Sequence, residues 1–401
     1  MTHWACVASL ENYPAVLMSS APSPHLSAIN GLRGIAILGV LFHHLARPSI
    51  LDHTPPAWLP VVSPAVGGWW TGVNLFFLLS GFVLFLPYAR GARGMREASD
   101  VGQFYRRRVI RLAPAFYVSV LATLAVFHQP TPEFWSQARQ LLSWTYIFNP
   151  AIYQPPLNWA LWSIGTEVLF SLAFPALVVL AMRFGALRLL LVILPVALAM
   201  RGFALAHETG FTGPTWLGDG LLIGRLDEFA YGMAIAELFA AGRMPARAGW
   251  MLGLSVALVA AAWLLFDLCF HHVLPAVAAA PVGNLLDLGL AGLLLAALMP
   301  GRWSRWLSLA PLQAIGIACY SIYLWHLPIS NLVAAAGLGR GLVNALLTTA
   351  ALAVVAPLSY RLLESSERLP WHVLPRAAAA GRLKIFTWAA DSAPNRLSLR
   401  R

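Results

Sequence analysis

Apolar runs long enough to cross a bilayer recur along this chain from residue 31 to residue 363, with no polar block between them. A helix needs about 20 apolar residues to cross the hydrocarbon core. Ten segments fit: 31–47, 69–88, 110–128, 158–182, 187–206, 219–240, 248–270, 284–300, 313–333 and 342–363. In lipid the backbone must satisfy its own hydrogen bonds, so runs of this length are helices. Composition agrees. Only 11% of the residues are charged, against about 25% in soluble domains, which leaves too little polar surface to face water. The predicted fold is all-α, a polytopic integral membrane protein of about ten transmembrane helices. The stretch 139–153 is apolar but short and aromatic, and reads as an interfacial or re-entrant segment.

The basic residues lie between the apolar runs, so the net charge of +11 is a topology signal and not a nucleic-acid face. With the N-terminus in the cytoplasm, all but five of the 27 Lys and Arg residues fall on the cytoplasmic side. The five are Arg47, Arg139, Arg201, Arg225 and Arg340. Both termini are therefore predicted to be cytoplasmic. The expected organisation is an N-terminal segment 1–28, a membrane domain 29–366 and a basic tail 367–401 resting on the anionic inner leaflet. Residues 1–28 hold no Lys or Arg, so they lack the charged start of a signal peptide. Met18 is a candidate second start. Cys6, Cys269 and Cys319 form no CxxC pair and read as packing residues. His271 and His272 beside Asp267 have no further ligands at zinc-site spacing, so no metal is expected. No internal repeat is visible, which weighs against an inverted-repeat transporter.

Ionisable groups within membrane spans are costly and point to function. Arg33 and His44 are eleven residues apart, close to three α-helical turns, which puts both on one face about 16 Å apart. An imidazole there is suited to taking a hydroxyl proton near neutral pH. Its neighbour His43 is expected to point about 100° away. Arg108 and Arg111 share a helix face and can hold phosphates by paired hydrogen bonds. Glu167, in Trp162-Ser163-Ile164-Gly165-Thr166-Glu167, is the acid farthest from a loop. It could orient an imidazole, bind a sugar hydroxyl or brace an arginine. Tyr323 and His326 share a face on the ninth run. Arg225 and Asp227 are too close in sequence to pair with each other, so each needs a partner on another helix. Read singly, these groups suit a transporter for glycans or small solutes, or a scaffold, as well as an enzyme.

Their order and spacing resemble the acyltransferase-3 family of membrane O-acyltransferases, which modify cell-surface polysaccharides and some secondary metabolites. The likeness runs over about residues 29–364. It rests on Gly31-Leu32-Arg33-Gly34-Ile35-Ala36 with His44, on Gly72 to Phe82, on Arg108 and Arg111, and on Trp162, Ser163 and Glu167. Arg225, Asp227 and Gly232, Ser321 to His326, and Tyr360-Arg361 with Glu364 complete it. The chain departs from the family at Asn74, often Asp, and at Val168 and Ser171, often Glu and Tyr. The resemblance implies a bacterial inner-membrane enzyme that moves an acyl group, acetyl by default, from cytoplasmic acyl-CoA to a hydroxyl of an exported glycan, glycolipid or related metabolite. It implies His44 and Glu167 as catalytic residues, and Arg33, Arg108 and Arg111 as donor-binding residues. Ser80, Trp162, Arg225, Asp227, Tyr323 and His326 would be substrate-binding. The lipid bilayer is the third partner, and no resident cofactor is implied.

Overall fold

A computed structural model describes residues 24–55, 57–207, 215–245 and 248–365. Cys6, Met18 and the tail from residue 366 lie outside the described residues. Every secondary-structure element among the described residues is helical. It begins with α1 (Pro24–Leu41), α2 (Arg47–Asp52), α3 (Leu59–Gly67), α4 (Gly72–Ala89) and α5 (Ala98–Val126). Next come α6 (Pro132–Leu142), α7 (Leu161–Phe184), α8 (Ala186–His207), α9 (Leu226–Ala240) and α10 (Ala248–Phe270). The last five are α11 (Ala279–Leu298), α12 (Arg302–Leu307), α13 (Ala310–Ile317), α14 (Cys319–Ala335) and α15 (Gly341–Ser359).

Among the described residues, eight helical stretches are long and apolar enough to cross a membrane. A ninth follows if α13 and α14, bent by 70° at their junction, count as one span. The sixth expected run, 219–240, is broken. A π turn at Trp216–Gly220 and a 3₁₀ turn at Leu222–Arg225 precede α9, which has only 15 residues. Gly224 permits the break, because any side chain there would strike the Gly218 backbone. The aromatic stretch 139–153 does not span. It holds the end of α6 and a 3₁₀ turn at Thr145–Phe148. Trp144 takes a left-handed φ of 62°, rare for a bulky residue. Its ring stacks on Phe116 at 3.8 Å and its Nε1 donates to the Tyr117 hydroxyl at 3.1 Å.

The polar interior is built around α4. Gly81 faces the Phe229 backbone and Gly232 faces the Leu78 backbone, so α4 and α9 touch main chain to main chain. Small residues permit such approach in membrane bundles. Gly31 and Gly316 do the same for α1 against α12 and α13. A methyl group at position 232 would enter the Leu78 carbonyl, which has no rotamer to escape into. Gly232→Ala should therefore lower stability by about 3 kcal/mol, the upper part of the usual overpacking range. Gly102→Ala on α5, where nothing lies within 4 Å, should stabilise by less than about 1 kcal/mol. Thermal unfolding of the two variants in detergent separates these outcomes.

Candidate active site

The α1 helix does not run straight through the paired histidines. At Phe42–Ala46 it widens into a π turn, with the Arg47 N–H donating to the Phe42 carbonyl. Pro48 supplies the cause. It has no N–H for the His44 carbonyl, and its ring would crowd that carbonyl in a regular helix. Such turns gather at functional sites. The three-turn phase expected between Arg33 and His44 is interrupted here, and His43 does not point away. Both histidines line one cavity, their ring centroids 5.3 Å apart.

His44 meets His326, 282 residues further on, with Nδ1 to Nε2 at 2.7 Å. The ring planes differ by 8° and the centroids lie 4.9 Å apart. Parallel rings with nitrogens this close cannot be stacked face to face. They lie edge to edge, in the plane of a hydrogen bond. His326 is fully buried, and its Nδ1 is 2.7 Å from the Tyr323 carbonyl. Trp159 packs edge-on against His44 at 4.4 Å. Pro328 helps anchor this part of α14. Lacking an N–H, it leaves the Leu324 carbonyl free, and Ser119 and Asn158 donate to it at 3.2 and 3.1 Å.

The histidine cavity has a volume of about 360 Å³ and is mostly apolar, walled by Trp70, Trp159, Trp162 and Trp263. Its polar rim includes Arg47, Asp219, and Asp267, which accepts from Ser63 at 2.5 Å. A second cavity of about 110 Å³ is lined by Arg33, Arg108, Arg111, Glu167, Ser80 and Ser163. There Arg108 donates to the Glu167 carboxylate and, at 3.1 Å, to the Ser171 hydroxyl. Ser171 is one of the departures from the family pattern, and here it serves as a hydrogen-bond partner. Val73 and Tyr323 line both cavities. The Tyr323 hydroxyl lies 2.6 Å from that of Ser163 and 3.0 Å from the Ala160 carbonyl.

The structure thus brings Arg33, Arg108, Arg111, Glu167 and Ser80 together in one cavity. His44, Trp162 and Tyr323 line the other, with His326 bonded behind His44. Glu167 braces an arginine and does not line the cavity that holds His44. Asp227 lines neither cavity. It receives paired hydrogen bonds from Arg201 at 2.9 and 2.7 Å and one from Asn284 at 3.1 Å. Arg225 reaches Asp219 and Glu228, both at 3.2 Å, and lies over the rings of Phe77 and Trp162.

Sequence reasoning missed the depth of this charged group. Arg201 was counted with the loop cations, yet it is buried within α8. The buried Arg225 is likewise no loop charge. Asp287, alone in the apolar α11, was the signal that could have revealed the cluster. Carboxylate oxygens of Asp227, Glu228 and Asp287 lie within 4.8 Å of one another, a spacing a cation can bridge. Asn74 sits among them. It donates to Glu228 at 3.0 Å and Asp287 at 3.4 Å, and accepts from Arg225 at 3.3 Å. An ionised Asp at this position would add a further acid and could not donate to Glu228 or Asp287.

Fold and site together define a polytopic helical membrane protein whose polar interior has two chambers sharing Val73 and Tyr323. The acyltransferase domain that defines the acyltransferase-3 family matches residues 26–363, and the chain belongs to that family. It is similar to a peptidoglycan O-acetyltransferase, OatA, of Listeria monocytogenes, at 26% identity over 377 residues, covering 86% of this chain and 56% of the relative. It is also similar to an O-acetyltransferase OatA of Staphylococcus aureus, at 24% identity over 332 residues, covering 76% and 50%. The chain thus spans about half the length of the curated relatives it matches. No solved structure matches it.

Proposed function

We propose that this protein is a membrane O-acyltransferase that moves an acyl group, acetyl by default, from cytoplasmic acyl-CoA to a hydroxyl of an exported glycan, glycolipid or related metabolite. One observation carries the reading. A guanidinium-lined chamber and an imidazole-lined chamber adjoin at Tyr323. Arg33, Arg108 and Arg111 suit the phosphates of coenzyme A. The four tryptophans of the histidine cavity suit the apolar face of a sugar ring, and the names of the relatives favour a glycan acceptor. The acceptor oxygen attacks the thioester carbonyl as His44 takes its proton. The C–S bond then breaks, and the proton passes on to the departing thiolate. Holding both substrates in adjoining chambers supplies much of the rate. Glu167 acts here by holding Arg108 in place. Loop charges orient both termini to the cytoplasm of a bacterial inner membrane.

Mass spectrometry of envelope glycans and secreted metabolites, from strains with and without the gene, tests the reading. The expected result is a species heavier by one acyl group only when the gene is present. Identical spectra, with solute uptake by proteoliposomes that ignores acetyl-CoA, would replace the enzyme with a transporter. Arg108→Gln should weaken acetyl-CoA binding to the purified protein by about 10- to 100-fold, the worth of a charge-assisted hydrogen bond. Calorimetric titration reads that change directly.

A further inference from the structure

We infer that His326 is a positioning residue that holds His44 in the tautomer with its proton on Nδ1, leaving Nε2 as the free base. The inference deepens the transferase reading and rests on it for its purpose, though the proton assignment itself follows from hydrogen-bond logic alone. The Tyr323 carbonyl can only accept, so the nitrogen 2.7 Å from it, Nδ1 of His326, must carry a hydrogen. A neutral imidazole has one N–H. Nε2 of His326 is then a lone pair, and its 2.7 Å contact with Nδ1 of His44 requires the hydrogen to come from His44. That leaves Nε2 of His44 bare.

The opposite arrangement needs an imidazolium at position 326. Its Nε2–H would donate to His44, whose own proton would move to Nε2 and end its use as a base. A charge there would be fully buried, with no carboxylate among its hydrogen-bond partners, and such burial is costly. In the reaction, Nε2 of His44 takes the acceptor's proton and the ring becomes an imidazolium. Its Nδ1–H stays bonded to His326, which stays bonded to the backbone. The part often played by a carboxylate behind a catalytic histidine falls here to a neutral imidazole fixed by a main-chain carbonyl. The edge-to-edge setting of the two rings is the geometry this needs.

The test uses the full-length protein in nanodiscs with ¹⁵N-labelled histidine, assigned by the signal lost in His44→Gln. In the wild type, Nδ1 of His44 should read as protonated and Nε2 as bare. His326→Phe keeps the ring volume and removes the acceptor, so the His44 signals should shift to a mixture of tautomers. His326→Gln offers an amide oxygen near the lost nitrogen and should restore the wild-type pattern. In a deletion strain complemented with each variant, incorporation of labelled acetate into alkali-labile envelope esters should fall about 10- to 100-fold for His326→Phe, the usual loss when a histidine's orienting partner is removed. It should recover at least about tenfold of that loss in His326→Gln, and acetyl-CoA affinity should be unchanged in both. A wild-type spectrum with the proton on Nε2, or a folded His326→Phe protein with full acyl incorporation, overturns the inference. Absence of acyl transfer by the wild type would sink the transferase reading instead, and the spectra would still decide the tautomer. If His326→Phe does not fold, the wild-type and His326→Gln spectra decide alone.

Discussion

His44→Gln should cut acyl incorporation into envelope esters by about 10²- to 10⁴-fold, the usual worth of a positioned general base. The amide keeps the size and polarity of the imidazole but cannot take a proton. No other group in the cavity stands ready to replace it. His43 is nearest, but it lacks the partner that fixes His44, since its buried Nδ1 has no hydrogen bond. Asp267 is engaged by Ser63 and Asp219 by Arg225. The residual rate should reflect proximity alone, because both substrates still meet across Tyr323. Acetyl-CoA should bind with wild-type affinity, as His44 does not line the arginine cavity. The variant should therefore lose turnover without losing donor binding, the reverse of Arg108→Gln. Measurement is by pulse-labelled acetate in complemented cells, with the amount of inserted protein checked in the membrane fraction. Full incorporation with His44 absent would remove the imidazole from the chemistry.

The helical membrane architecture could be read from the chain because a lipid solvent leaves so few alternatives. Runs such as 187–206 and 248–270 coincide with α8 and α10 almost residue for residue. Local chemistry could also be read: Tyr323 and His326 do share a face, and Arg108 with Arg111 does line a cavity. Periodicity failed where the helix departed from 3.6 residues per turn, at Phe42–Ala46 and at Trp216–Gly220. Pro48 and the glycines at 218, 220 and 224 were the available warnings. Spacing along one helix says which residues are neighbours there, but not which helices meet. The sequence therefore leaves Glu167 open between orienting an imidazole, binding a sugar hydroxyl and bracing an arginine, and packing gives that carboxylate to Arg108 and gives His44 to His326. Arg201 was misread for a related reason. Counting loop charges cannot distinguish a cation near a span's end from one drawn into the bundle by acids on two other helices.

That buried group underlies the second large effect. Arg201→Met should destabilise the protein by about 3–5 kcal/mol, the loss seen when one member of a buried ion pair is removed. The Arg201 guanidinium donates to the Gly224 carbonyl at 2.7 Å, to both oxygens of Asp227, and to Asn284 at 3.1 Å. It thereby ties α8 to α9, to α11 and to the broken turn before α9. Without it, the fully buried Asp227 carboxylate keeps Asn284 as its side-chain donor, in a cluster already holding Glu228 and Asp287. The pair is not valuable for its own attraction. It is valuable because one half cannot be left in the bundle interior alone. Arg201→Met with Asp227→Leu should thus be more stable than Arg201→Met by itself, a coupling of sign and size that a mere packing role would not produce. Arg201→Lys should fall between, since an ammonium keeps the charge but loses the planar fork that spans Asp227 and Gly224. Unfolding of the three variants in detergent decides it, and equal losses for the single and double substitutions would sink the claim. The effect should reach the site as well. Arg225 is held between this group and the rings of Phe77 and Trp162, so loosening α8 frees one wall of the histidine cavity.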